Sequence, residues 1–199
     1  MDALMPRPRT NAASTGVWVG IATISMSFAA YTSAMVVRRG AASDWQHFPL
    51  PPVIYINTLI LLASSATLEI GRRRMAQSPP RSDPAVVPLH APAPLERLWF
   101  LLTLWFGILF VVGQLLVWRV LAREGLYLAT NPSSAFFYIF TALHALHLLG
   151  GIAALTYGLR RSSRSAPQAM TRMFGAIALY WHFMGVLWCY LLVVLMIAL

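Results

Sequence analysis

Three histidines, His144, His147 and His182, stand inside long apolar runs. Polar groups at membrane depth are costly, so each demands a reason. His144 and His147 are three positions apart, which puts them on one helix face. Two imidazoles so placed, or one of them with His182, could hold a metal or form the axial pair of a haem. Metal sites, however, usually take three or four ligands, and the commoner role for such histidines is a hydrogen bond across a bundle. The single cysteine, Cys189, also lies in an apolar run; it excludes an internal disulfide and a cysteine metal cage.

Glu69 precedes the run Arg72–Arg74, and Arg73 stands at the favourable i+4 position. An interfacial salt bridge is one reading; a carboxylate that collects protons at the membrane surface is the sharper one. Asn57 and Ser64 are seven apart, and Ser65 and Glu69 four apart. Gln114 and Trp118 are an i, i+4 pair, with Gln114 expected as an interhelical hydrogen-bond donor. Thr141, His144, His147, Gly151, Leu155 and Gly158 fall on one face, and the small residues Ala145, Gly150 and Ala154 nearby favour close helix approach. Trp181 and Trp188 form a packing stripe, with His182, Gly185 and Cys189 on another face. There is no nucleophile–base pair, Gly-rich phosphate loop or carboxylate cluster. A chain with polar faces and no catalytic set suggests a partner subunit.

The elements that must position these residues follow from composition. The chain has 199 residues, 58% hydrophobic and 11% charged, with mean hydropathy +0.65. A soluble domain carries about 25% charged residues, so lipid is the expected solvent for much of this surface. Five apolar stretches reach the ~20 residues that a ~30 Å hydrocarbon core requires. They lie at about Thr15–Val37, Pro52–Gly71, Leu95–Leu121, Ser134–Leu159 and Arg172–Leu199. Only helices satisfy every backbone group within such segments, and the runs lack the alternation of barrel strands. The expected fold is therefore all-α, an integral membrane bundle of five transmembrane helices. The first run exceeds a signal-peptide core of about 7–15 residues and is read as a retained helix.

All fifteen basic residues are arginine, and the net charge is +9. In a soluble chain that balance would suggest nucleic acid; here the arginines sit in short loops, and no nucleic-acid partner is expected. Arg7, Arg9, Arg72, Arg73, Arg74, Arg81, Arg97, Arg160, Arg161, Arg164 and Arg172 fall on one side of alternating crossings. Arg38, Arg39, Arg119 and Arg123 fall on the other. The positive-inside rule then sets the N-terminus in the cytoplasm and the C-terminus outside. Residues 1–14 read as a cytoplasmic tail, 15–74 as the first two helices and 95–199 as the last three. Residues 75–94 carry Pro79, Pro80, Pro84, Pro88, Pro92 and Pro94 and read as an extended or mobile cytoplasmic linker. No internal repeat is present.

Three stretches carry a family resemblance. PPVIYINTLILLASSATLE (Pro51–Glu69), SSAFFYIFTALHALHLLGG (Ser133–Gly151) and YWHFMGVLW (Tyr180–Trp188) resemble the second-, fourth- and fifth-helix signatures of haem-copper oxidase subunit III, in its short five-helix bacterial form. The first helix, with Trp18, Phe28 and Arg39, is similar more loosely. The resemblance implies a subunit of the bacterial cytoplasmic membrane that binds no redox centre. Subunit I would hold the haems and copper and be the main contact, with subunit II receiving electrons. The subunit would hold phospholipid in a cleft and support sustained proton uptake, within a complex that reduces oxygen to water. The three histidines would then be structural. The chain departs from the family at two carboxylates, which align with Ile24 and Gly185; Glu69 is the in-helix carboxylate left to carry a proton-related role.

Other readings stay open at this level. The donor, cytochrome c or quinol, is not written in this subunit; nor are the haem type, small subunits or membership of a supercomplex. An accessory subunit of nitric-oxide reductase is a relative within the superfamily. A small membrane cytochrome, with a haem between His182 and His144 or His147, is the alternative of another class. A transporter ranks last, because the helices are unbroken and carry no central charge.

Overall fold

The computed structural model describes residues 12–41, 43–77, 94–162 and 167–199. Among them are five helices and no strand: α1 (Ala12–Ala41), α2 (Val53–Gln77), α3 (Pro94–Arg123), α4 (Pro132–Ser162) and α5 (Pro167–Ala198). All five are long and apolar enough to cross a membrane. Each expected span is present, and the helices outrun the apolar stretches by up to two turns. At the end of α2 the extension holds Arg72–Arg74, good helix formers that need no apolar surroundings. Arg7, Arg9, Arg81 and Arg164, most of the tail and the prolines 79–92 of the expected linker lie outside the described residues.

Local chemistry fixes the helix ends. Asn131 caps α4: its Oδ1 accepts the Ser134 N–H at 2.7 Å, and Pro132 follows at the first helical position, where its missing N–H is no loss. The Asn131 amide also donates to Gln46 Oε1 at 3.0 Å, which ties the α1–α2 connection to α4. Helix α3 closes on Gly125, at φ +81°. The Leu126 N–H reaches the Leu121 carbonyl and the Gly125 N–H the Ala122 carbonyl. A side chain at Gly125 would strain that left-handed turn. The last carbonyls of α5 take donors from the α1 end: Arg39 to Ile197 at 2.9 Å and the Trp45 indole to Ala198 at 2.9 Å.

Among the described residues, helices α2–α3, α2–α5, α3–α4 and α4–α5 pack together, and α1 lies against α4 and α5 alone. Helices α4 and α5 each touch three others, and Trp181 and Trp188 of α5 are fully buried. Large apolar side chains also point outward on every helix, among them Met26, Leu59, Trp105, Leu146 and Val186. An apolar exterior this extensive is a lipid-facing or partner-facing surface.

Candidate functional site

The close approaches come from glycine and hydroxyl residues. A Cβ built on Gly107 would stand 2.9 Å from the Trp181 ring, on Gly151 3.2 Å from Tyr180, and on Gly158 2.9 Å from Ile177. These positions let α5 side chains, Trp181, Tyr180 and Ile177, reach the backbones of α3 and α4. At Gly150 an added Cβ would stand 3.8 Å from the Tyr180 hydroxyl, and Gly150 and Ala154 also line a cleft between α1, α4 and α5. On α2 and α3, the Thr67 and Thr103 hydroxyls meet at 2.9 Å.

Several of the polar residues singled out from sequence meet across these contacts. The Trp181 indole donates to Ser64 Oγ at 2.9 Å. Trp188 donates to Thr58 Oγ1 at 2.9 Å. Asn57 donates from Nδ2 to the Phe110 carbonyl at 3.0 Å, and Gly113 leaves the room its carboxamide occupies. Thr141 accepts the Trp118 indole N–H at 3.0 Å. That last bond corrects one expectation. Gln114 makes no interhelical hydrogen bond among the described residues; Trp118, one turn on, links α3 to α4 instead, because an indole is long enough to reach Thr141.

The three histidines occupy three different surroundings. His144 is fully buried, edge-on to Phe110 with ring centroids 5.8 Å apart and 5.0 Å from the Trp188 ring. Its ring nitrogens have no hydrogen-bond partner among the described residues, so it meets the neighbouring helices by ring packing and not by the direct hydrogen bond expected of it. His147 sets Nδ1 2.7 Å from the Leu143 carbonyl of its own helix and its ring against Phe28 of α1 at 5.9 Å. The Tyr180 hydroxyl donates to the His147 carbonyl at 2.9 Å. His182 lies on the α2–α5 side, with Nε2 3.7 Å from Glu69 Oε2. Among the described residues no group of three or more histidine, cysteine or acidic side chains is placed to hold a metal.

Glu69 is held by more than the partner its spacing suggested. Arg73 Nε reaches Oε1 at 2.7 Å, and Arg72 adds a two-pronged contact at 2.8 and 2.7 Å. An i+3 arginine can fork around a carboxylate as well as an i+4 one, and the sequence spacing alone did not separate them. Gly185, which the resemblance aligns with a carboxylate, faces Ser65, whose Oγ would stand 3.3 Å from an added Cβ. Ile24, aligned with the other, is buried. One acidic residue passed over in the sequence, Glu96, is 5% exposed in the first turn of α3; its place at a helix N-terminus was the available signal.

A cleft of about 830 Å³ opens between α1, α4 and α5. Val17, Ala154, Met173 and Leu179 give it apolar walls, and Ser14, Tyr157 and Arg172 supply polar groups.

Known proteins are similar to this chain over most of its length. The family described as cytochrome c oxidase subunit III matches residues 20–198. A probable cytochrome c oxidase subunit 3 of Mycobacterium leprae is 32% identical, covering 94% of this chain and 88% of its own length. The cytochrome c oxidase subunit 3 of Corynebacterium diphtheriae is 31% identical over 90% of this chain and 85% of its own length. That of Synechocystis is 28% identical over 89% and 72%. With five membrane-spanning helices in place and a match running from α1 to the last turn of α5, the chain belongs to the cytochrome c oxidase subunit III family.

Proposed function

We propose that this chain is the non-catalytic subunit III of a bacterial haem-copper respiratory oxidase of the aa3 or caa3 kind, resident in the cytoplasmic membrane. It packs on subunit I, holds phospholipid, and sustains oxygen reduction and proton uptake carried out next door. The observation that carries this reading is the family match across residues 20–198. The use of the polar side chains supports it: Asn57, Ser64, Thr141, Trp181 and Trp188 join helices to one another. The histidines have separate neighbours in Phe110 and Trp188, in Leu143 and Phe28, and in Glu69. That separation speaks for packing roles over a shared haem. Haems and copper then reside in subunits I and II, with subunit I as main contact and subunit II as a further partner.

The orientation has the N-terminus in the cytoplasm. Arg72, Arg73, Arg74, Arg97, Arg160, Arg161 and Arg172 stand at one end of the antiparallel bundle, and Arg38, Arg39, Arg119 and Arg123 at the other. The richer end faces inward. Phospholipid fits the α1–α4–α5 cleft, with acyl chains along its apolar walls and a headgroup phosphate near Arg172. With no carboxylate at positions 24 and 185, proton delivery at the cytoplasmic surface falls to Glu69, fixed by Arg72 and Arg73 and facing His182, with Glu96 a second carboxylate at that end.

Purification from the native membrane tests the reading. A large haem-bearing subunit that co-purifies supports it. A chain that purifies alone with its own Soret absorption band refutes it and installs the bis-histidine cytochrome. A nitric-oxide reductase or quinol oxidase core as companion refutes the cytochrome c oxidase assignment alone.

A further inference from the structure

The bundle's interior contains polar groups that packing leaves unused. Asn57, Gln114 and His144 are each at most 1% exposed. Five of their atoms have no hydrogen-bond partner among the described residues: Asn57 Oδ1, both amide atoms of Gln114 and both ring nitrogens of His144. Buried polar atoms are rarely left so, and the usual remedy in a folded protein is ordered water.

Asn57 and His144 both meet Phe110, one turn before Gln114 on α3. Asn57 donates to the Phe110 carbonyl and lies against Gly113, the residue before Gln114. Phe110 is one turn from Gln114 and lies edge-on to the His144 ring at 5.8 Å. Trp118 bonds Thr141 and Gly107 lies against Ile152; this antiparallel register sets Gln114 opposite Ala145, beside His144. The site therefore sits inside the bundle along α3, between α2 on one side and α4 on the other, closed on the α5 side by Trp188, 5.0 Å from His144.

The donor set selects the ligand. A neutral imidazole offers one donor and one acceptor, the Gln114 carboxamide offers both kinds, and Asn57 Oδ1 only accepts. A water molecule donates two hydrogen bonds and accepts two, which this set satisfies. It holds no anionic ligand and one imidazole, too little for a resident metal ion.

We propose that Asn57, Gln114 and His144 form an internal site for ordered water, in which water links the His144 imidazole to the Gln114 carboxamide. This inference goes beyond the subunit reading and does not depend on it.

The test is a density map of the native complex in which the chain resides, at a resolution that shows ordered water, with infrared difference spectra of the same preparation. The expected result is a density peak about 2.7–3.2 Å from both a His144 ring nitrogen and the Gln114 amide. In Gln114→Leu that peak is lost, together with an O–H stretching band that shifts in H₂¹⁸O. A direct hydrogen bond between His144 and Gln114 with nothing between them overturns the proposal, as does a metal ion on His144. So does a water band unchanged in Gln114→Leu. Should that variant fail to assemble, the wild-type map alone decides.

Discussion

Ser64 and Trp181 illustrate how a single polar atom acts in this interior. The indole N–H has one acceptor, the Ser64 hydroxyl, at 2.9 Å. Ser64→Ala removes it and strands a buried donor. Interhelical hydrogen bonds in membranes are worth about 0.6 kcal/mol on average and up to about 1.7, so thermal unfolding in detergent should show a loss in that range. Gly107 should be less forgiving. A Cβ there would stand 2.9 Å from the rigid Trp181 ring, and overpacking of this kind costs about 1–3 kcal/mol. Gly107→Ala is expected to destabilise more than Ala→Gly changes on the lipid-facing side of α1; equal midpoints would contradict the packing described. Asn57 and Gly113 form a matched pair by the same logic: the amide needs the space that a missing side chain leaves.

Helix ends and helix contacts set the next scale. Asn131 caps α4 and ties it to Gln46 on the α1–α2 connection. Replacing Asn131 with Ala should cost about 1 kcal/mol of stability and raise amide hydrogen exchange in the first turn of α4. Exchange left unchanged there would show that the cap is not what holds that turn. Trp45→Phe keeps the ring but removes the donor to the Ala198 carbonyl. Faster exchange confined to the last turn of α5 is the expected signature. Helix α1, held on one side by α4 and α5 alone, has the least interior support and should be the first helix to exchange.

In the assembled oxidase the relevant measurement is durability under turnover. Glu69 is fixed by two arginines and faces His182. If proton delivery passes along this surface, Glu69→Gln should leave assembly intact and speed turnover-dependent inactivation. Unchanged pumping together with unchanged inactivation would remove the role. Charge reversal at Arg172, beside the α1–α4–α5 cleft, should lower the phospholipid retained per complex, counted by mass spectrometry after delipidation. Retention equal to wild type would place the lipid elsewhere. A reporter active only outside the cell, fused to the C-terminus, should be active if the arginine-rich end faces the cytoplasm.

How much of this was written in the sequence depends on the range of the force involved. The five crossings and the all-α class follow from local hydropathy and backbone hydrogen bonding, which need no knowledge of neighbours. Asn57, Ser64, Thr141, His144, Trp181 and Trp188 were legible as interior residues, because polar or aromatic groups at fixed spacing in an apolar run have few other uses. Their partners were not. Trp118 in place of Gln114 as the α3–α4 link, Arg72 beside Arg73 on Glu69, and the rings of Phe110 and Trp188 around His144 all depend on the rotation and register of one helix against the next. Register is set by where Gly107, Gly113, Gly151 and Gly158 let a neighbour in. A sequence lists those glycines without saying which side chain will fill each gap, and only the packed bundle decides that.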